Sequence, residues 1–414
     1  MPAAVRRRTS CRLCGAAQLL PAFSLTPTPP ANAFVSAERR GETQPAYPLD
    51  LHFCNRCTHL QLLDVVDPQA LFEDYVYVSG TSPAFVRHFA DYAAWLWSYA
   101  SPAPGALVID IGSNDGTLLR AFRERGARVL GIDPAKRIAE EATRQGIETL
   151  PAFFTPQLAQ ELAATRGRAA LITANNVFAH VDELGAALDG VAQLLAPDGL
   201  LAFEVSYLLD VIEHTLFDTI YHEHLDYHAV RPLIPFLRAH GLDLIEAQRV
   251  STHGGSLRVV AQRAGGARPA GASVALALAL EERAGLHTLD TYSAFARRID
   301  ALGAELGELL RKLKGEGRRI AGFGAPAKAT TLMYHFGIGP AQIEFIVDDS
   351  PLKQGLFSPG LHVPVLPASA IEERRPDYLL VLAWNFARQI IDKQAEFRKR
   401  GGRFIVPLPK LEVC

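Results

Sequence analysis

Apolar positions change their spacing twice along this chain. Residues 1 to about 70 show little regular apolar period, and Pro27-Thr28-Pro29-Pro30, Pro45 and Pro48 interrupt any long element. From Ala84 through Trp97 to Ala100 the apolar residues recur about every 3.6 positions, which predicts a helix ended by Pro102 and Pro104. Ala106 to Gly112 then forms a strand-length apolar run. A helix is expected over 117–125, a strand over Arg128–Ile132, and a further helix after it. The alternation continues through Leu171–Ala174 and Leu200–Val205, predicting a doubly wound, mostly parallel sheet. A Gly/Ala/Pro-rich stretch at 265–275 reads as a surface connection and 276–315 as a long helical region. A second alternation starts at Arg319–Gly324, with strands at Ile343–Val347 and Tyr378–Leu382.

At 414 residues the chain exceeds one ordinary core, since domains hold roughly 100–200 residues, and two or three are expected. With 49% apolar and 21% charged residues the chain is globular rather than disordered. The net charge of −2 provides no global basic field for nucleic acid or an anionic membrane. The longest purely apolar run, Val274–Leu280, is far short of the roughly 20 residues of a membrane span. No apolar segment follows Arg6-Arg7-Arg8, so no secretory signal is expected and the default compartment is the cytoplasm.

Four of the five cysteines form two Cys-x-x-Cys turns, Cys11/Cys14 and Cys54/Cys57. Each turn aims two sulfurs at one ion, and two turns complete a tetrahedral zinc site with no open position, hence a structural metal. The long loop between them is tolerable because closure entropy grows only logarithmically. A segment so poor in apolar period needs such a staple.

Two further segments carry chemistry. Asp110-Ile111-Gly112-Ser113-Asn114-Asp115-Gly116 joins a predicted strand to a predicted helix, and Asp133 closes the next strand about 20 residues on. Small residues let a ligand approach the backbone, and the acid can accept ribose hydroxyls. The turn is not Gly-x-Gly-x-x-Gly; it resembles the first motif of S-adenosylmethionine-dependent methyltransferases. The second segment, Tyr221-His222-Glu223-His224-Leu225-Asp226-Tyr227-His228, lacks the His-Glu-x-x-His spacing of zinc proteases. An acid–base cluster suits it better, because histidine titrates near neutrality and Tyr or Glu can orient it.

The ordered set of Cys-x-x-Cys pairs, Ser79-Gly80-Thr81-Ser82, the Asp110 turn, Tyr221-His222-Glu223-His224, His253-Gly254-Gly255-Ser256-Leu257-Arg258 and Gly322-Phe323-Gly324-Ala325-Pro326-Ala327-Lys328 resembles the sugar C-methyltransferases of deoxysugar biosynthesis. That family includes the C-3 methyltransferases of the tetronitrose and mycarose pathways, and the resemblance covers nearly the whole chain. It implies an α/β protein with a zinc-binding N-terminal domain (1–72), a central Rossmann-like class I methyltransferase domain (73–247) and a C-terminal Rossmann-like α/β domain (248–414). It implies S-adenosylmethionine and structural zinc, and a nucleotide-linked 4-keto-6-deoxy sugar methylated at C-3. His224 becomes the favoured base, with Tyr221, Glu223, His180 and one of Tyr75 or Tyr77 beside it. Asp110, Gly112, Asn114, Asp115, Asp133, Asn175 and Ser79 are the expected cofactor residues. His253, Ser256, Arg258, Gly324 and Lys328 are the expected substrate contacts, Lys328 meeting a phosphate at a helix N-terminus. A monomer is compatible with these features, and neither nucleic acid nor membrane is an expected partner.

Taken alone, Gly322-x-Gly324-x-x-Ala327 with Asp348-Asp349 after the next strand matches a dinucleotide fingerprint. The competing reading is therefore an NAD(P)-dependent oxidoreductase acting on a nucleotide sugar.

Overall fold

The computed structural model describes residues 5–72, 80 and 83–414. Its centre is a seven-stranded sheet in the order Leu242–Val250, Ser256–Arg263, Leu195–Ser206, Ala169–Asn175, Leu107–Ile111, Arg128–Ile132, Thr149–Leu150. Ser256–Arg263 runs antiparallel to both neighbours and the other strands are mutually parallel. Leu107–Ile111 is buried at every position, as a strand apolar apart from Asp110 requires when both sheet faces are covered. Helices Thr117–Arg123, Lys136–Arg144, Pro156–Thr165 and Leu184–Leu194 make the crossovers. The third begins sharply because the Thr155 side chain accepts the Leu158 N–H and Pro156 presets the first turn. Connections leave Leu107–Ile111 and Ala169–Asn175 in opposite directions across the sheet, opening a crevice at the carboxyl ends of those strands.

Two expectations change. Ser256–Arg263 lies beyond the expected boundary at 247/248, yet it pairs with Leu195–Ser206 and Leu242–Val250 and belongs to the central sheet. The central sheet therefore crosses that boundary through the hairpin of Leu242–Val250 and Ser256–Arg263. The region 276–315 is two helices, Ala272–Arg283 and Leu289–Gly315, broken at Gly285 with φ of +69°, and the first begins inside the expected 265–275 connection.

The N-terminal unit is an antiparallel sheet of Leu19–Thr28, Tyr47–Cys54 and Leu60–Leu62, completed by Asp226–Tyr227 from the histidine-rich segment. The C-terminal unit is a six-stranded sheet ordered Val365–Leu366, Ile346–Val347, Ile320–Phe323, Tyr378–Val381, Arg403–Val406, Glu412–Val413, antiparallel only at its last strand.

Glu281 joins the middle of the molecule. Buried on the helix Ala272–Arg283, it accepts the Tyr207 hydroxyl at 2.8 Å and the N–H groups of Val230 and Arg231 at 2.6 and 3.0 Å. It thus caps the helix Val230–Ala239 with a negative charge at its positive end. Glu281→Ala should leave those donors unsatisfied and cost about 3 kcal/mol. The check is a lowered urea midpoint; an unchanged one would remove the cap from the list of major supports.

Candidate active site

The four knuckle thiols converge. Their sulfurs all lie within 4.8 Å of one another, with Cys11–Cys57 at 3.6 Å and Cys14–Cys54 at 3.5 Å. A tetrahedral zinc with sulfurs at about 2.3 Å spaces them about 3.8 Å apart, whereas a disulfide needs about 2.05 Å, so the set fits the ion. Both turns close alike: Gly15 N–H reaches Cys11 O and Thr58 N–H reaches Cys54 O, each at 2.9 Å, with Gly15 and Thr58 in left-handed backbone. A β-branched Thr58 at positive φ is strained, which marks a geometry imposed by the turn. Without a cation, burial pushes the Cys14 thiol up to about 11; a bound zinc reverses that preference.

At the carboxyl ends of the central strands, Gly112 has φ of +70°, and a Cβ there would come within 2.3 Å of Val177 Cγ2. Asp133 is buried and rigid: its oxygens accept the N–H groups of Asn114 (2.8 Å) and Ala135 (2.9 Å). Burial raises its pKa, but each carboxylate oxygen retains a further lone pair. Asp110 accepts the Thr173 hydroxyl at 2.6 Å, and burial pushes it up to about 7. Asp115 caps Thr117–Arg123 through the Thr117 N–H and hydroxyl, and accepts the Gly80 N–H at 3.0 Å. Asn175 ends its strand with both side-chain polar atoms buried and unpartnered among the described residues. A close-approach glycine, a fixed acid and an orphaned amide at one crevice fit a nucleoside-bearing cofactor.

Most of the histidine-rich segment is tied down. His222 Nε2 lies 3.2 Å from Tyr47 O, and Glu223 accepts the Asn32 side-chain N–H at 2.8 Å. Asp226 pairs with His59 at 2.6 Å, and His228 Nε2 is 3.4 Å from Phe178 O. Burial lowers His222 and His228 to about 4 and raises Glu223 to about 7. Tyr221 and His224 are half-buried. A turn closed by His224 N–H on Tyr221 O at 2.8 Å, rather than a helix, puts their rings 4.1 Å apart. The His180 ring stacks on His224 at 5.0 Å and 18°. His224 Nδ1 lies 2.7 Å from the Thr219 carbonyl, which can only accept, so Nδ1 carries the hydrogen and Nε2 the basic lone pair. Burial, and then the charge on His224, hold His180 well below the ordinary histidine range.

Of the expected residues, the structure therefore brings His180, Tyr221 and His224 together and turns Glu223 toward Asn32. Tyr75, Tyr77, Ser79 and the His253 side chain lie outside the described residues. Ser256, Arg258 and Lys328, expected as substrate contacts, each have an internal partner. Ser256 donates to Thr252 O. Arg258 pairs with Glu204 at 2.6 Å, across from it in the sheet, under the rings of Tyr92 and Trp95. Lys328 sits 3.8 Å from Asp218 and over Trp384, whose indole N–H donates to Asp218 at 2.6 Å. Gly324 packs against Ala383, where a Cβ would meet Ala383 Cβ at 2.5 Å, and Asp348 accepts the Ala325 N–H at 2.6 Å. Asp182, Arg12 and His59 belong to no motif with a side-chain role in the sequence; His59 and Asp226 stand 167 positions apart, and no local pattern links them.

Three family models align in order: a zinc binding domain over residues 11–72, a methyltransferase domain over 85–247 and a C-methyltransferase C-terminal domain over 251–409. The C-methyltransferase NovU of Streptomyces niveus is 37% identical over 409 residues, 99% of this chain and 97% of that protein. A ubiquinone biosynthesis O-methyltransferase of Burkholderia thailandensis is 28% identical over 38% of this chain and 73% of its own length. Among solved structures, magnesium protoporphyrin IX methyltransferase from Synechocystis with bound SAM aligns with 43% of this chain and 79% of that one, at 19% identity and a TM-score of 0.34. The chain belongs to the C-methyltransferase family. It is an S-adenosylmethionine-dependent C-methyltransferase with a zinc-binding N-terminal domain. No helix among the described residues is long and apolar enough to cross a membrane.

Metal analysis of purified protein should find about one zinc per chain. Cys54→Ser should lower that content and the thermal midpoint together, since zinc binding is coupled to folding. An intact fold with free thiols and no metal would overturn the assignment.

Proposed function

We propose that the protein methylates C-3 of a nucleotide-linked 4-keto-6-deoxy sugar, with His224 as the base. The observation that carries this reading is the stack of the His180 ring on the His224 ring with the Tyr221 ring beside it. The site is continuous with the cofactor crevice: Val177, three residues before His180, packs on Gly112.

A ketone at C-4 acidifies the C-3 hydrogen, because the resulting charge spreads onto the carbonyl oxygen. A base near C-3 and hydrogen-bond donors near O-4 are then sufficient. The basic nitrogen of His224 is Nε2, and the Thr219 carbonyl fixes its tautomer. A neutral His180 can donate a hydrogen bond without adding a second positive charge beside the first. Tyr221, against the His224 ring, orients the base and offers a hydroxyl toward the developing oxyanion. When bound, the cofactor supplies a methyl group on a sulfonium sulfur. Asp133, Gly112 and Asn175 would hold it, and the fixed geometry of both sites supplies much of the rate. The C-terminal domain would serve as the nucleotide-sugar platform, and the cytoplasm, where thiols stay reduced, is the expected compartment. An NAD(P)-dependent oxidoreductase is disfavoured by the full-length similarity to a C-methyltransferase, 37% identical over 409 residues.

Asp133→Ala should weaken S-adenosylmethionine binding by about tenfold or more while sparing the sugar nucleotide, given about 1.5–3 kcal/mol for a hydrogen bond to a charged group. An unchanged Kd by calorimetry would remove Asp133 from the site. His224→Ala should cut kcat by about 10²–10⁴-fold with cofactor binding intact. Exchange of the C-3 hydrogen with deuterated water isolates the proton step. If the variant exchanges at the wild-type rate, the base lies elsewhere.

A further inference from the structure

Both loops that carry the stacked histidines are gripped by the zinc domain two residues further on. Beyond His180 stands Asp182, which meets the guanidinium groups of Arg12 at 2.9 Å, Arg8 at 3.0 Å and Arg6. Beyond His224 stands Asp226, which meets His59 Nε2 at 2.6 Å and Arg12 Nε at 4.0 Å. Arg12 lies inside the first knuckle, between Cys11 and Cys14, and its side chain is fully buried. His59 follows the second knuckle, and its carbonyl accepts the Cys54 N–H at 2.8 Å. The loops are also laced to each other and to the same domain. Leu225 N–H donates to Ala179 O at 2.7 Å, and Leu225 O accepts the Leu62 N–H at 2.9 Å. Arg12 Nη1 reaches the carbonyls of Leu62 at 2.5 Å and Leu225 at 3.4 Å.

We propose that the zinc domain is a positioning device for the reaction. Arg12 bridges Asp182 and Asp226 from the first knuckle, His59 secures Asp226 from the second, and the paired loops hold His180 and His224 in their stack. This rests on the base assignment above. A fully buried guanidinium that donates from Nε to Asp182 and from Nη1 to the Leu62 carbonyl holds a fixed direction, since its donors form a rigid planar fork, and it stands at ion-pair distance, 4.0 Å, from Asp226. Zinc then has a catalytic consequence without touching substrate: it fixes the turn that presents Arg12. The basic cluster at Arg6 and Arg8 gains a role as the outer part of the same clamp on Asp182.

The test uses the full-length, zinc-loaded protein with Arg12→Gln, Arg12→Lys and the near-isosteric Asp182→Asn, which removes the charge that the arginines share. Three properties are measured: zinc content, the ring signals of His180 and His224 by NMR on carbon-labelled histidine without substrate, and kcat with KM. Zinc should stay at about one per chain in all three. In Arg12→Gln and Asp182→Asn the two ring signals should shift together. kcat should fall about 10²-fold, the loss that a displacement of about 1 Å brings, with KM for S-adenosylmethionine unchanged. Arg12→Lys should recover part of kcat by restoring one charge without the fork. Lowered stability with ring signals and kcat both intact would overturn the proposal and leave the contacts as domain adhesion. Lost kcat with unmoved ring signals would also overturn it. Shifted signals with intact kcat would uphold the clamp and overturn the base assignment.

Discussion

The burial of one polar segment, 217–228, between three domains is the constraint on which the architecture depends. Burying charged and hydrogen-bonding groups is unfavourable unless each finds a partner. This segment finds them in every direction. Asp218 takes the Trp384 indole and the Lys328 ammonium from the C-terminal domain. The Ile220 carbonyl takes the Thr331 hydroxyl at 2.8 Å, and Thr330 on the same helix reaches Ala31 O in the N-terminal domain. His222, Glu223 and Asp226 take Tyr47, Asn32 and His59 from that domain. The domains therefore share one polar seam, and displacing any of them would leave buried groups unsatisfied.

The seam also fixes the titratable groups within it. Burial moves His222, Glu223 and His228 toward their neutral forms, and each has one fixed partner, the Tyr47 carbonyl, the Asn32 side chain and the Phe178 carbonyl. Tyr221 and His224 sit on the side of the turn that faces the His180 loop. A segment dense in titratable residues is thus held largely by internal partners, because the low-dielectric interior makes every unpaired polar atom costly. The same logic explains the helix Ala327–His335. Its glycine-rich approach looks ready for a ligand, yet its first turns are taken by contacts to the other two domains.

The sequence by itself determined what short range can encode. Continuous apolar strands such as Leu107–Ile111, the two knuckles and the glycine turn at Gly112–Gly116 were legible because a few adjacent residues state both the conformation and its chemistry. So was the ordered series of motifs that marks the family. What only the tertiary structure decided involves partners far apart in the chain. The antiparallel strand Ser256–Arg263 joins the central sheet because its hairpin partner is there. Arg258 and Lys328, which read as substrate contacts, acquire Glu204 and Asp218 as counter-ions. Arg12 reads as an arbitrary knuckle residue until folding brings Asp182 and Asp226 to it. The physical reason is that local pattern fixes the period and the turn, whereas the cost of burying charge is settled only when distant segments meet.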